Sequence, residues 1–246
     1  MRRPRFFLES NLSPDINVLL PKEITHYAKQ VLRLQNNDDI ILFNGKNGEY
    51  NATITFVKES AYAKILSFNS KEIELQGSIT LVQSLTTNNK MDLIIEKAVE
   101  LGVQKIIPLK TNRSIVQLTN EKLQNKIRHW EKIIRSASAQ CGRNQLMAIE
   151  NPISFDRYLA SISNQTHLFC HPIHSQNLTE VLKTQINTKK LSIMIGPEGG
   201  WTEEECAQAR KIHDIKFVNF GNRILRTETA GITIVAAVIS LMNWYE

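Results

Sequence analysis

No CxxC pair occurs in this chain, and its three cysteines (Cys141, Cys170 and Cys206) are too few and too scattered for a disulfide framework. That excludes the small disulfide-stapled secreted folds and suits a reducing, cytoplasmic compartment. No apolar run is long enough to span a bilayer. The basic start, Arg2-Arg3-Pro4-Arg5, leads only to Phe6-Phe7-Leu8 before Glu9, too short for the apolar segment of a signal peptide. Asn-x-Ser/Thr triplets such as Asn51-Ala52-Thr53 therefore carry no weight as glycosylation sites. There is no internal repeat and no low-complexity tract. A Gly-Lys-Ser/Thr phosphate loop is missing, and so is a GxGxxG dinucleotide turn. What is present is the composition of an ordinary globular protein, 42% hydrophobic and 22% charged over 246 residues. Such a chain makes one large domain or two modest ones.

The net charge of +6 is localised. Between Lys110 and Arg143 lie Lys110, Arg113, Lys122, Lys126, Arg128, Lys132, Arg135 and Arg143, opposed only by Glu121 and Glu131. That excess of six equals the excess of the whole chain, so the remainder is neutral in sum. A basic face of this kind suits a polyanion such as nucleic acid. It is equally compatible with a solvated helix surface.

Two textures divide the chain. Residues 1 to about 70 read as short strands and turns. A strand and turn fall at Asp38 to Gly45, a returning strand at Glu49 to Val57, and a short helix at Thr25 to Leu34 with Thr25 as its N-cap. Past residue 76, strand and helix alternate. Strands are expected at Ser78–Gln83, Val103–Leu109, Leu146–Ile149, Thr166–Phe169, Leu191–Ile195 and Lys216–Phe220. Helices are expected at Lys90–Leu101, stopped by Gly102, and at Asn120–Ala139 and Thr227–Trp244. Thr202 and Glu205 form a capping box for a further helix reaching about His213. Repeated β-α units imply an α/β fold with a mostly parallel sheet covered on both faces.

Two strand-to-helix turns carry the most information. One is Gly196-Pro197-Glu198-Gly199-Gly200-Trp201-Thr202-Glu203-Glu204-Glu205; the other is Gly221-Asn222-Arg223-Ile224-Leu225-Arg226-Thr227-Glu228-Thr229-Ala230. Taken singly, each has a plain reading: a tight β-α connection for the first, and for the second a surface Arg226–Glu228 pair with Thr227 as N-cap. On adjacent β-α units they can instead build a pocket from backbone groups, because glycine allows close approach of a ligand. His167, Cys170, His171 and His174 have metal-like spacing, but ligands three apart on a strand point to opposite faces, so no metal is expected. Trp130, Trp201 and Trp244 read as core or interface residues, while Phe6 and Phe7 lie beside a basic cluster.

The chain resembles the RsmE family of small-subunit ribosomal RNA methyltransferases, in the SPOUT class of S-adenosylmethionine-dependent enzymes. The similarity runs nearly end to end. It includes Arg2 to Phe7, His26 with Val31-Leu32-Arg33-Leu34, Leu42-Phe43-Asn44-Gly45, and Lys90-Met91-Asp92 with Glu96 to Val103. Gln140-Cys141-Gly142-Arg143-Asn144 and the two glycine-bearing loops complete it. The resemblance implies a PUA-like RNA-binding β-barrel at 1–72 and a SPOUT methyltransferase domain with a trefoil knot at 73–246. It also implies a homodimer and methylation of N3 of a uridine in 16S rRNA (uracil 1498 of the conventional numbering), near the decoding region of the small ribosomal subunit.

Residue roles follow from that resemblance. S-adenosylmethionine would be held by His171, Pro172, Gly196, Pro197, Glu198, Gly199, Gly200, Phe220, Gly221, Ile224, Leu225, Arg226, Thr227 and Ala230. RNA would be met by Arg2, Arg3, Arg5, Arg33, Arg113, Lys122, Lys126, Lys132, Gln140 and Arg143. Uridine N3 carries a proton, so the reaction needs a base and a cation to steady charge on the uracil oxygens. Arg143, Arg113 and Arg226 are the candidate cations and Glu198 the candidate base, making Arg143, Glu198 and Arg226 the catalytic set. Two positions depart from the family pattern. Ala139 stands where relatives often carry an acid, and Phe220 where Leu is usual. Alternatives are a noncatalytic RNA-binding or assembly factor on the same fold, or a SPOUT enzyme acting on another RNA.

Overall fold

The computed structural model describes residues 3–46, 48–114, 120–162, 165–185 and 187–245, without the side chains of 120–122. Arg2 lies outside the described residues, and the side chain of Lys122 is likewise not described. The chain separates into two compact units: 1–74 with 135–146, and 75–134 with 147–246.

The first unit is a five-stranded sheet in the order β1-β3-β4-β5-β2, in which only the β1–β3 pair is parallel. Its elements are β1 (Arg5–Phe7), β2 (Asn17–Leu19), α1 (Lys22–His26) with a π-helical turn at Tyr27–Val31, β3 (Asp39–Phe43), β4 (Glu49–Val57) and β5 (Ser60–Asn69). β5 shows the period-two alternation that buries one face: Ala61, Ala63 and Ile65 point inward to meet Ile40, Leu42 and Ile54. Thr25 is not the N-cap. The helix starts earlier, after Pro21, whose φ of −54° leads the chain in, and the Thr25 hydroxyl bonds back to the Leu20 carbonyl at 3.4 Å. This unit is the PUA-like domain of a mixed α/β protein.

In the same unit, the segment after residue 134 is tied down by buried charge. Arg143 Nε and Nη2 donate to Glu74 Oε1 and Oε2 at 2.9 and 2.6 Å, a two-pronged pair with 4% and 14% side-chain exposure. Arg5, paired with Glu49, also donates to the Arg143 carbonyl (3.2 Å) and Asn144 Oδ1 (2.7 Å). The Arg135 guanidinium lies 5.1 Å from the Phe7 ring, and Phe6 is buried.

The second unit is a sheet of parallel pairs. Its elements are β6 (Ser78–Ser84), α2 (Asn88–Glu100), β7 (Lys105–Lys110), α3 (Asn120–Cys141, whose last turns belong to the first unit), β8 (Ala148–Ile149) and β9 (Ile153–Ser154). They continue with α4 (Phe155–Ala160), β10 (Thr166–Cys170), β11 (Gln176–Asn177), α5 (Leu178–Lys183), β12 (Lys190–Ile195), α6 (Glu203–Arg210), β13 (Ile215–Asn219) and α7 (Thr227–Leu241). The order is β11-β13-β10-β12-β6-β7-β8, with β9 also on β7. β12, buried at every position from Leu191 to Ile195, is the continuous apolar run of a strand covered on both faces. Gly102 ends α2 with φ +83°. Trp130 and Trp244 are buried.

Candidate functional site

β13, β10 and β12 are neighbours in the sheet and all run the same way. Their carboxyl ends therefore open on one side, where ligands of parallel α/β sheets are received. A cavity of about 560 Å³ lies there, within the usual range for a small-molecule site. The loop after β12 supplies Gly196, Pro197, Glu198, Gly200 and Trp201, and the loop after β10 supplies His171, Pro172 and Ile173. From the loop after β13 come Phe220, Gly221, Arg223, Ile224, Leu225 and Arg226, followed by Thr227, Ala230 and Ile234 of α7. Every residue assigned to the cofactor from sequence lines this cavity except Gly199, whose carbonyl instead accepts from Arg113 Nη1 at 2.8 Å.

Close packing joins the loops. A side chain at Gly196 would place its Cβ 2.9 Å from Trp201 Nε1, and that indole nitrogen donates to the Cys170 carbonyl at the end of β10 at 3.0 Å. Thr227 does not cap α7. Its hydroxyl donates to the Gly196 carbonyl at 2.7 Å and accepts from buried Gln83 Nε2 at 2.9 Å, linking α7, the first loop and β6. Gly221 turns the second loop with φ +80°. The capping box of α6 is present, and Glu205 further accepts from the Asn112 backbone N–H at 3.0 Å.

The polar end of the cavity holds a charge cluster. Lys90 Nζ, from α2, lies 3.2 Å from Glu198 Oε1 and 3.5 Å from Glu228 Oε2. Thr86 Oγ1 donates to the same Glu198 oxygen. Partial burial acts to raise the Glu198 pKa, but the Thr86 hydroxyl, the backbone N–H and Lys90 outweigh it and hold the carboxyl below its ordinary value. The hydrogen bond and charge of Glu198, ahead of the lesser Glu228 contribution, raise Lys90 against its desolvation. Both groups are therefore ionised at neutral pH. Arg223 and Arg226 are exposed, and among the described residues neither enters an ion pair. Glu228 pairs with Lys90 and not with Arg226, so the plain reading of the second loop as a surface Arg226–Glu228 pair does not hold.

The RNA-assigned residues separate into two groups. Arg3, Arg33, Arg113, Lys132 and Gln140 are exposed, while Lys126 is half-buried with Nζ 5.7 Å from the Trp130 ring. Arg5 and Arg143 are instead buried ion-pair members, with 5% and 4% side-chain exposure. Of the metal-like cluster, His167 is buried against the Tyr158 hydroxyl at 2.9 Å, and His171 Nδ1 accepts from the Ile173 N–H at 3.1 Å. Sequence reasoning missed Lys90, Thr86, Asn219 and Ile234. Lys90 alone left a signal, a cation in the first turn of a helix, where the dipole disfavours it.

These features define a class: an α/β domain with a cofactor-sized cavity at the carboxyl ends of its strands, alongside a PUA-like unit. An RNA methyltransferase domain model matches residues 73–239, and an RNA methyltransferase PUA domain model matches 20–66. Ribosomal RNA small subunit methyltransferase E of Rickettsia conorii is 30% identical over 97% of this chain and 96% of its own. The protein of that name from Buchnera aphidicola (Schizaphis graminum) is 33% identical, covering 98% and 96%. Among solved structures, ribosomal RNA small subunit methyltransferase E of Neisseria gonorrhoeae bound to S-adenosyl methionine superposes with a TM-score of 0.89 at 34% identity, covering 98% of each chain. A Legionella pneumophila chain in complex with the cofactor SAM gives a TM-score of 0.91 at 31% identity, also covering 98% of each. The chain belongs to the ribosomal RNA small subunit methyltransferase E family, a family of RNA methyltransferases.

Proposed function

We propose that this protein binds S-adenosylmethionine in the cavity at the ends of β10, β12 and β13 and methylates N3 of a uridine in 16S rRNA of the small ribosomal subunit. The observation that carries the reading is the convergence of three strand-end loops on one cavity of about 560 Å³. Its lining suits the cofactor. Ile195, Val218, Leu225, Ala230 and Ile234 offer apolar walls for an adenine, and the strand-end backbone offers polar groups for its edge. Glu198 and Asn219 add polar side chains for the ribose and amino-acid portions. Bound S-adenosylmethionine supplies an electrophilic methyl group on a sulfonium.

The chain's own residues supply the rest. Glu198, ionised at the mouth, accepts the N3 proton. Its low basicity makes a nearby cation necessary, and Arg226, exposed and among the described residues outside any ion pair, steadies the negative charge that grows on the uracil oxygens. Exposed Arg3, Arg33, Arg113, Lys132 and Gln140 contact the RNA backbone, so binding weakens as salt rises. A cytoplasmic homodimer with a knotted C-terminal domain belongs to the same proposal. Among the described residues no helix is long and apolar enough to cross a membrane.

The test is transfer of labelled methyl from S-adenosylmethionine to small subunits lacking the modification, with the product nucleoside identified. The expected product is 3-methyluridine. Label on another nucleoside would overturn the assigned target, and failure of the folded protein to bind S-adenosylmethionine would overturn the cofactor reading.

A further inference from the structure

Lys90 is the point at which three elements of the cavity meet through one charge. It is the third residue of α2, where unsatisfied N–H groups and the helix dipole disfavour a cation, and the first turn carries no acid of its own. Compensation comes from distant segments: Glu198 of the loop after β12, and Glu228 in the first turn of α7. The three side chains are 31%, 23% and 14% exposed, so the cluster is partly withdrawn from water. Thr86, two residues before α2, supports the same Glu198 oxygen. Glu228 Oε2 is buried, and among the described residues the Lys90 ammonium, 3.5 Å away, is the charge that faces it. Without that ammonium, the Glu198 carboxylate of the loop after β12 and the Glu228 carboxylate of α7 would be left close together with their repulsion uncompensated.

We infer that Lys90 is a positioning residue of the cavity: its ammonium bridges Glu198 and Glu228 and holds the loop after β12 and the start of α7 at the separation that receives the cofactor. This rests on the reading of the cavity as a site for S-adenosylmethionine. Both glutamates are reached only because Lys90 lies between them, and its place on α2 anchors the bridge to a packed helix whose Met91, Ile94 and Ile95 are buried.

The experiment is calorimetric titration of the full-length protein with S-adenosylmethionine, alongside steady-state methyl transfer. Lys90→Met is expected to weaken binding about tenfold and to raise the cofactor KM more than it lowers kcat. Lys90→Arg, which keeps the charge, is expected to bind within about threefold of wild type. Lys90→Met/Glu228→Gln, which removes the opposed charge, should recover part of the lost affinity. Wild-type affinity and KM in Lys90→Met would overturn the inference. So would an Arg variant as weak as the Met variant, or a double variant whose losses simply add. If Lys90→Met does not fold, the Arg and double variants decide: both must fold and bind. Failure of the wild-type protein to bind would instead refute the cofactor reading, which keeps the two failures distinct.

Discussion

Replacing Gly196 by alanine tests whether the first loop is as tightly built as the structure shows. The added Cβ would lie 2.9 Å from Trp201 Nε1, 3.0 Å from Cε2 and 3.3 Å from Cδ1, closer than side chains pack. The indole has little room to retreat. Its nitrogen donates to the Cys170 carbonyl, and its ring centroid lies 4.4 Å from that of Phe169 and 5.5 Å from that of Phe155. Overpacking of this kind costs about 1–3 kcal/mol, and losing the indole hydrogen bond adds about 1 kcal/mol, for roughly 2–4 kcal/mol in all. Trp201 also lines the cavity, so the part of that strain relieved only by moving the indole reappears in binding. An amount of ~1–3 kcal/mol corresponds to roughly 5- to 150-fold weaker affinity for S-adenosylmethionine. Urea denaturation and calorimetric titration measure the two effects. Gly199→Ala is the contrast, because the nearest atom to its Cβ, Arg113 Cβ at 3.3 Å, is a milder approach than the indole at 2.9 Å. Wild-type stability and affinity in Gly196→Ala, or equal damage from Gly199→Ala, would refute the reasoning.

Thr227→Val keeps the shape but removes the donor to Gly196 and the acceptor for Gln83, leaving buried polar groups unmatched; a loss of about 2 kcal/mol in denaturant unfolding is expected, and a neutral result would discount that linkage. Arg143→Ala strands the Glu74 carboxylate and should destabilise the PUA-like unit by about 3–5 kcal/mol, with partial recovery in Arg143→Ala/Glu74→Leu. Unchanged stability with abolished methylation would return Arg143 to the RNA. The depressed pKa of Glu198 means that the unfolded chain binds more protons there as pH falls. Its stabilisation is therefore full above the ordinary carboxylate value of 4.5 and is lost as pH drops through the folded value. Glu198→Gln should flatten the acid side of the melting-temperature profile, and an identical slope in both proteins would remove that contribution.

The strands of the second unit were legible because burial on both faces leaves continuous apolar runs. Leu191–Ile195 and the parallel neighbours of β12 were read almost residue for residue. The short elements were not. β9, β11, α4 and α5 span two to six residues each, and no period can establish itself over so few positions. The last strand ends at Asn219 instead of Phe220, since Phe220 turns out into the cavity mouth and is 43% exposed. The last helix stops at Leu241, three residues short of buried Trp244, whose apolar character extended the pattern.

The site divides in the same physical way. Backbone-built walls were readable because glycine-bearing turns after strands announce themselves locally. Side-chain electrostatics were not, because the partners are remote: Glu49 is 44 residues from Arg5, and Glu74 is 69 from Arg143. A count of cations between Lys110 and Arg143 therefore overstates what is offered to RNA, since it cannot subtract a guanidinium already claimed by a buried carboxylate. The same logic, run in reverse, would have found Lys90. A lysine in the first turn of a helix that has no acid there breaks a local rule, and a broken local rule asks for a distant compensation. Here that compensation is a pair of carboxylates, one on the loop after β12 and one in the first turn of α7, so the exception in α2 marks the residue that draws those two segments together.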